Sequence, residues 1–463
     1  MTTIDSRTRA EVATALRGVI AGEVITSDDP GYEEARRVWN GVIDRRPAVI
    51  ARCSNVGDVV EAVQVARHRI EVAIRGGGHQ VAGSAVCDDG LVIDLSSMRE
   101  VTVDPSARRA TVAAGARWGD VDRATQEHGL ATTGGEVSIT GVAGLTLGGG
   151  MGVLQRAFGL ACDNLHAVEI VTADGLVRRA SASEHPDLFW AARGAGRGLG
   201  VVTAFEFDLH PLGPEVALAQ VVYPMDEAAS VVRRFRDLAV AAPETVSPEV
   251  LLWSVPPDPE IPEELHGQPM IMAVGVYAGV PADASSVLAP FAELGTPMMD
   301  LSGTLPYADV QSSPDPLFPE GARYYFKSHF ADGLSDEALD EIVRAGKARP
   351  TAASLIAVRT LGGAIDRVGA DESAYRHRGA AFNVSFDGAW TDAADDDRVI
   401  GWARDAFTAF TPHATGGVYV NFAGFDDEPD VSVSDTLGNE ARLAEIRDAY
   451  DPGGVFSGPA HRP

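Results

Sequence analysis

Apolar positions change their rhythm twice along the chain. Over the first forty residues Val12, Leu16 and Ile20 recur at helical spacing, and a Pro/Gly/Asp-rich stretch follows. From Pro47 to about Leu212 the apolar residues fall into short β-branched runs broken by glycines. The runs are Ala48-Val-Ile, Glu71-Val-Ala-Ile, Leu91-Val-Ile-Asp-Leu, Ala110-Thr-Val-Ala-Ala and Ala167-Val-Glu-Ile-Val-Thr, and each predicts a strand. Between the first two, Val59, Val60, Val63 and Ala66 lie at helical spacing behind a Ser54 or Asn55 cap. A helix over Asn55–Arg69 therefore joins two strands.

After Pro211-Leu-Gly-Pro the glycine density falls. Longer strands, Met270–Tyr277 and Ala381–Phe386, alternate with amphipathic helices, Met225–Val240 and Asp336–Ala345. This is the signature of an α+β unit. The stretch Ala322-Arg-Tyr-Tyr-Phe-Lys-Ser-His-Phe alternates like a strand, with Arg323, Tyr325, Lys327 and His329 on one face and Tyr324, Phe326 and Ser328 on the other. A last helix, Asn439–Tyr450, ends at Asp451-Pro-Gly-Gly and is expected to return to the first part. The division expected is 1–212 (core about 42–212), 213–425 and 426–463.

Composition narrows the function classes. The 463 residues carry 38 Lys and Arg against 66 Asp and Glu, a formal charge of −28, which disfavours nucleic acid and anionic membrane as partners. Apolar residues are 45% and charged residues 22%, as in a globular protein with large cores. The N-terminal sequence lacks the pattern of a secretory signal, and no apolar run reaches the ~20 residues of a membrane span, so a cytoplasmic protein is expected. The three cysteines, Cys53, Cys87 and Cys162, are too few and too scattered for a disulfide framework or a zinc site. They read as small buried residues, and no metal is expected.

Candidate chemistry lies in three glycine clusters, each beside a strand. These are Arg75-Gly-Gly-Gly-His-Gln, Gly141-Val-Ala-Gly-Leu-Thr-Leu-Gly-Gly-Gly-Met-Gly and Arg193-Gly-Ala-Gly-Arg-Gly-Leu-Gly-Val-Val. One such cluster is ordinarily a turn; three in one domain indicate loops that let a phosphate-bearing cofactor approach the backbone. None matches the dinucleotide fingerprint or the P-loop. His79 ends the first cluster and would stand against whatever the loop holds.

Together these motifs resemble a known family. With Ser54-Asn-Val-Gly-Asp-Val-Val, Gly159-Leu-Ala-Cys-Asp-Asn, Val171-Thr-Ala-Asp-Gly, Leu188-Phe-Trp-Ala-Ala-Arg-Gly, Tyr419-Val-Asn-Phe and Tyr450-Asp-Pro-Gly-Gly-Val-Phe, the chain resembles FAD-linked oxidases of the vanillyl-alcohol-oxidase (PCMH-type) superfamily. Within it, the chain is similar to the berberine-bridge-enzyme-like branch and to bacterial 6-hydroxynicotine oxidase. The resemblance implies a two-part PCMH-type FAD-binding domain plus an α+β substrate domain with an antiparallel sheet flanked by helices. It implies FAD held by Arg75, Gly76, Gly77, Gly78, His79, Gln80, Gly83 and Ser84 on the first loop. Val137, Thr140, Gly141, Gly144, Leu145, Gly149, Gly150 and Gly152 would follow on the second. Gly200, Val201 and Val202 on the third, with Tyr419 and Asn421, would complete the set.

The resemblance further implies a covalent bond from His79 to the flavin 8-methyl group. Many relatives add a cysteinyl link four residues before the Gly-Val-x-Gly segment; Val137 stands there, so His79 is expected to be the sole link. Thr140 falls where a Val or Leu gates oxygen access, and Phe456-Ser-Gly-Pro-Ala-His461 replaces an asparagine-containing tail. Tyr419 is the first candidate for the base, with Asn421 on the same face of a strand. Tyr325 and Lys327 are candidates from the strand expected to line the substrate pocket, and His377 is a weaker one.

The function implied is hydride transfer from an alcohol, amine or phenolic small molecule to FAD, with O2 as acceptor giving H2O2. A dehydrogenase on the same scaffold, or a flavin-containing binder without turnover, remains open on the sequence.

Overall fold

The computed structural model describes residues 6–67, 70–256, 263–425 and 439–456. The helix Val56–Ala66 shows why the N-terminal part folds as it does. The Asn55 side chain accepts from the Asp58 N–H at 3.0 Å. The Asp58 carboxylate in turn takes the N–H groups of Ser54, Ala21 and Gly22 at 2.8–2.9 Å. One helix start thus also anchors the end of the first helix, Ser6–Val19, and satisfies donors that would otherwise be orphaned. Val59, Ala62, Val63 and Ala66 form its buried stripe.

The strands it joins, Val49–Arg52 and Val72–Arg75, are not neighbours; Leu91–Asp94 lies between them, parallel to both. Glu23–Ile25 adds an antiparallel edge to this four-stranded sheet. A five-stranded antiparallel sheet follows, in the order Val101–Asp104, Arg109–Ala113, Val201–Asp208, Leu165–Val171, Val177–Ser181. One core, which runs from Val12 to Phe456 in sequence and draws in Phe330, Tyr375 and Tyr419 from the later half, lies between and around both sheets.

The later half is an α+β unit, as the pattern predicts. Its eight-stranded antiparallel sheet includes Glu215–Pro224, Pro269–Tyr277, Val246–Ser254, Leu355–Thr360, Phe382–Trp390 and Arg323–Ala331 in that spatial order. Helices Ala228–Ala241, Asp336–Lys347 and Asp396–Phe410 bury one face of it through Val250, Leu252, Ile356, Val358, Val384 and Phe386. Alternation sends Glu249, Arg359, Ser385 and Asp387 to the opposite face, which meets the N-terminal half.

The helix Glu440–Tyr450 packs on Pro186–Ala192: the Tyr450 hydroxyl donates to Asp187 at 3.2 Å, and the Arg442 guanidinium lies 3.9 Å from the centre of the Trp190 ring. Phe456 is buried beneath it, with its N–H on Asp451; the remainder of the tail, 457–463, lies outside the described residues. Cys53, Cys87 and Cys162 are buried free thiols, and burial pushes Cys53 and Cys87 up to about 12. Among the described residues no helix is long and apolar enough to cross a membrane.

Candidate active site

The glycine clusters converge on the polar face of the large sheet and enclose about 1530 Å³ of space, mouth included. One close approach and one turn explain the glycines that build it. A Cβ on Gly77 would stand 2.4 Å from the Gly141 Cα, so the first and second clusters can touch only without side chains. Gly78 turns at φ 66°, a left-handed geometry that aims His79 inward.

His79 is buried, and its Nε2 has no hydrogen-bond partner. Its ring stacks on Trp39, with centroids 4.0 Å apart and planes 15° apart. Burial, with the Arg117 guanidinium adding repulsion, pulls the imidazole down to about 3. At neutral pH it is an uncharged ring with a lone pair available, the form a nucleophile requires.

Gly76, Gly77, Gly78, Gln80 and Ser84 line the cavity beside His79; Val137, Thr140, Gly141, Gly144 and Leu145 line the second side, and Gly200 and Val202 the third. The other residues expected at the cofactor stand behind this wall. Arg75 donates to the Ala35 carbonyl at 2.6 Å and braces the loop, Gly83 packs on Ile43, and Val201 belongs to a core strand. Gly149 lies under the Tyr375 ring, Gly150 against Ala161 and Gly152 against the Gly134 carbonyl. These three shape the turn after a short helix, Val142–Leu147, which glycine-rich text does not announce.

The segment Gly135–Ser138 is gripped from the other half of the molecule. The Gln311 amide donates to the Gly135 carbonyl at 3.0 Å, Arg359 holds Glu136, and the Asp315 carboxylate takes both the N–H and hydroxyl of Ser138. Val137, between them, is thereby fixed on the cavity wall.

Tyr419 and Asn421 both line the cavity, but on a short turn, Val420–Phe422, and not on a strand. The Tyr419 oxygen receives three N–H groups: Gly150 at 3.2 Å, Met151 at 3.1 Å and the Asn421 amide at 2.9 Å. Burial pushes its hydroxyl up to about 12, against the opposing pull of those donors.

Tyr325 and Lys327 require correction. Their strand, Arg323–Ala331, offers Phe326 to the cavity, while Tyr325 and Lys327 face the helix Asp396–Phe410. The Lys327 ammonium lies 4.7 Å from the centre of the Phe407 ring, and Arg404 donates to the Tyr325 hydroxyl at 3.2 Å. That helix covers the face that was expected to line the substrate pocket. His377 stacks on Phe330 at 4.1 Å and does not line the cavity.

A charged cluster that the sequence reading did not single out closes the far end. Arg359 binds Glu136 through Nε and Nη2 at 2.8 Å, and its Nη1 donates to Ser385 at 2.9 Å. The Ser385 hydroxyl donates onward to Asp387 Oδ2 at 3.0 Å, while Asp387 Oδ1 has no partner. Glu249 stands 3.4 Å from the Arg359 Nε. Burial raises the Asp387 carboxyl to about 7, with Arg359 drawing it down and Glu136 adding repulsion; the Glu249 carboxyl reaches about 8 for like reasons.

Comparison with known proteins assigns the scaffold. Residues 47–181 match the FAD binding domain family. The FAD-linked oxidoreductase YgaK of Bacillus subtilis is 30% identical over 451 residues, covering 94% of this chain and 96% of the relative. The chain belongs to the FAD-linked oxidoreductases. Its fold is that of the berberine-bridge-enzyme-like branch. BBE-like 1 of Physcomitrella patens superposes with a TM-score of 0.87 at 22% identity, over 98% of this chain and 99% of that one. The 6-hydroxy-D-nicotine oxidase of Arthrobacter nicotinovorans gives 0.81 at 27% identity, over 94% and 96%. FAD is thus the cofactor of this oxidoreductase, and the cavity fits it: close-packed glycine loops for the phosphates, and an unpartnered buried His79 nitrogen beside them.

Proposed function

We propose that this oxidoreductase is an oxidase of small molecules, with FAD bonded through His79 alone and O2 as the electron acceptor. The observation that carries the reading is one continuous cavity, with the neutral His79 nitrogen on its glycine-loop side and the unpartnered Asp387 oxygen on its sheet side. FAD held on the glycine loops would supply the hydride acceptor for the substrate carbon, with O2 as final oxidant and H2O2 as product.

The chain's own part is to hold the substrate and take its heteroatom proton. Tyr419 is poorly suited to that: its oxygen already accepts three N–H groups, and its hydroxyl keeps its proton up to about 12. Asp387 carries a free lone pair and a carboxyl held at about 7, close to the working pH of a general base. Asp387 is therefore the proton acceptor and Tyr419 a donor that orients the substrate. The apolar remainder of the wall, Phe318, Phe326 and Phe422, excludes water from the pair.

Val137 on the wall supports a single covalent link, since a valine side chain forms no thioether. Acid precipitation should leave yellow colour on the pellet, and turnover should consume O2 and release H2O2. Reduction of dyes without O2 uptake would reassign it as a dehydrogenase.

A further inference from the structure

Ser385 stands between two charged groups, and its single proton can point only one way. It lies two residues before Asp387 on the strand Phe382–Trp390, so both side chains leave the same face of the sheet. On the neighbouring strand Ala357 is opposite Ser385 and Arg359 is opposite Asn383, which brings the guanidinium to Ser385 from the diagonal position. Ser385, Arg359 and Asp387 are all buried. The Arg359 Nη1 donates to the Ser385 oxygen at 2.9 Å, and that hydroxyl lies 3.0 Å from Asp387 Oδ2. A guanidinium keeps all its protons and accepts nothing, so Ser385 accepts from Arg359 and donates to Asp387. Arg359 cannot turn away, because its Nε and Nη2 are committed to Glu136. Asp387 Oδ2 is thus kept as an acceptor. A proton gained by the carboxyl goes to Oδ1, the oxygen without a partner.

Resting on the reading of Asp387 as proton acceptor, we infer that Ser385 is a positioning residue for the reaction: it occupies Asp387 Oδ2 and leaves Oδ1 to take the substrate proton. In that step the substrate O–H or N–H bond breaks and an Oδ1–H bond forms. The electron pair left on the heteroatom becomes the second bond to the adjacent carbon, as the hydride of that carbon goes to the flavin. Ser385 itself forms and breaks no covalent bond. Its hydrogen bond stops the carboxyl from rotating, and it favours the charged form of Asp387. The charged and titratable groups facing Asp387 are Arg359, Glu136 and, behind Arg359, Glu249; Phe326, opposite it on the other neighbouring strand, carries no charge. Burial holds the carboxyl up at about 7 against the pull of Arg359 and then Ser385, with Glu136 adding repulsion. Without the hydroxyl, Arg359 alone opposes that rise.

The test uses the flavin-loaded protein and reads Asp387 in two ways. Its infrared carboxyl band, identified by its loss in Asp387→Asn, is titrated with no substrate present. The pH profile of kcat/KM is then taken with whichever alcohol or amine bleaches the flavin fastest in an anaerobic screen. Ser385→Ala removes one hydrogen bond to a charged group, so the band midpoint and the rising limb of kcat/KM should move up together by about one to two pH units. Ser385→Thr keeps a hydroxyl and should return both towards the parent. A band midpoint that stays in place in Ser385→Ala overturns the inference and leaves the proton-acceptor reading intact. A rate loss in Ser385→Ala with both midpoints unmoved marks a merely structural role and overturns it too. Asp387→Asn that turns over as fast as the parent removes the proton-acceptor reading itself, and the role of Ser385 falls with it even where the band shifts.

Discussion

The indole of Trp39 separates the His79 imidazole from the Tyr324 ring, with centroid distances of 4.0 Å and 3.8 Å. Trp39 is itself held at both ends, its Nε1 on the Phe318 carbonyl and its backbone N–H on the Gly78 carbonyl, each at 3.1 Å. The imidazole plane is therefore set by a residue forty positions upstream. Trp39→Ala should leave a folded protein in which covalent flavin falls well below one per chain, and Trp39→Phe should restore much of it. Flavin fluorescence of denatured, washed protein reads the bond; circular dichroism checks the fold. Full covalent loading in Trp39→Ala would show that the stack does not position the ring.

His79→Ala should release the flavin completely on acid precipitation while the loops still bind it reversibly. The measurement is the partition of absorbance near the flavin maximum between pellet and supernatant. Yellow supernatant from the unmodified protein would disprove the covalent link.

Asp387→Asn should slow flavin reduction by about 10²–10⁴-fold, the usual worth of a positioned base. Because the free Asp387 carboxyl sits at about 7, kcat/KM of the parent should rise with pH through that region, as the residue loses its proton. The groups facing it are Arg359, Glu136 and Ser385, with Glu249 behind Arg359. The asparagine variant should lack that limb. Tyr419→Phe should lower the rate less and keep it.

Asp122 is a separate case. It is buried between Trp118–Gln126 and Tyr307–Ser312, its Oδ2 lacks a partner, and burial lifts its carboxyl to about 7 despite help from the Gln311 amide. Arg123, Asp315 and Tyr307 are its other charged or titratable neighbours. The folded value lies above the unfolded one of ~3.9, so the folded state binds more protons between those pH values. Stability from this group is full below about pH 4 and falls as pH rises to 7. Asp122→Asn should remove that loss, on the order of 3 kcal/mol over the interval from pH 5 to 8, measured as urea midpoints at those two pH values. An unchanged pH dependence would refute it.

Arg378 and Asp163 form a buried pair at 2.6 Å; Nη1 also donates to the Ile365 carbonyl and Nη2 to Ser373, while Nε has no hydrogen-bond partner. Removing one partner leaves the other charged and dry. Arg378→Met should cost about 3–5 kcal/mol, read from denaturant unfolding; a loss below ~1 kcal/mol, the median of an exposed pair, would mean water reaches the site.

The elements were legible where local chemistry decides them. Asn55 caps its helix, Val59 and Val63 face the core, and Pro269–Tyr277 runs as the alternation predicts. Which face of Arg323–Ala331 meets the cavity was not legible, because alternation defines two faces and only the docking of Asp396–Phe410 selects between them. The polar set Tyr325, Lys327 and His329 went under the helix, with His329 stacked on Phe407 at 3.8 Å. Asp387 lies one residue past the predicted end of its strand, in a run that reads as ordinary core. Glu136 and Arg359 are 223 positions apart, and nothing local pairs them. The short helix Val142–Leu147 was hidden by glycines needed for close approach to Gly77.

The grip of Gln311, Arg359 and Asp315 on Gly135–Ser138 makes one wall of the chamber joint property. A protein cut near Leu212 would keep every glycine loop yet have no rigid backing at Val137. Chimeras that exchange the C-terminal half between relatives would inherit the same fault unless those three anchors travel with it. Colour retention in such hybrids would then depend on residues that never approach the ring.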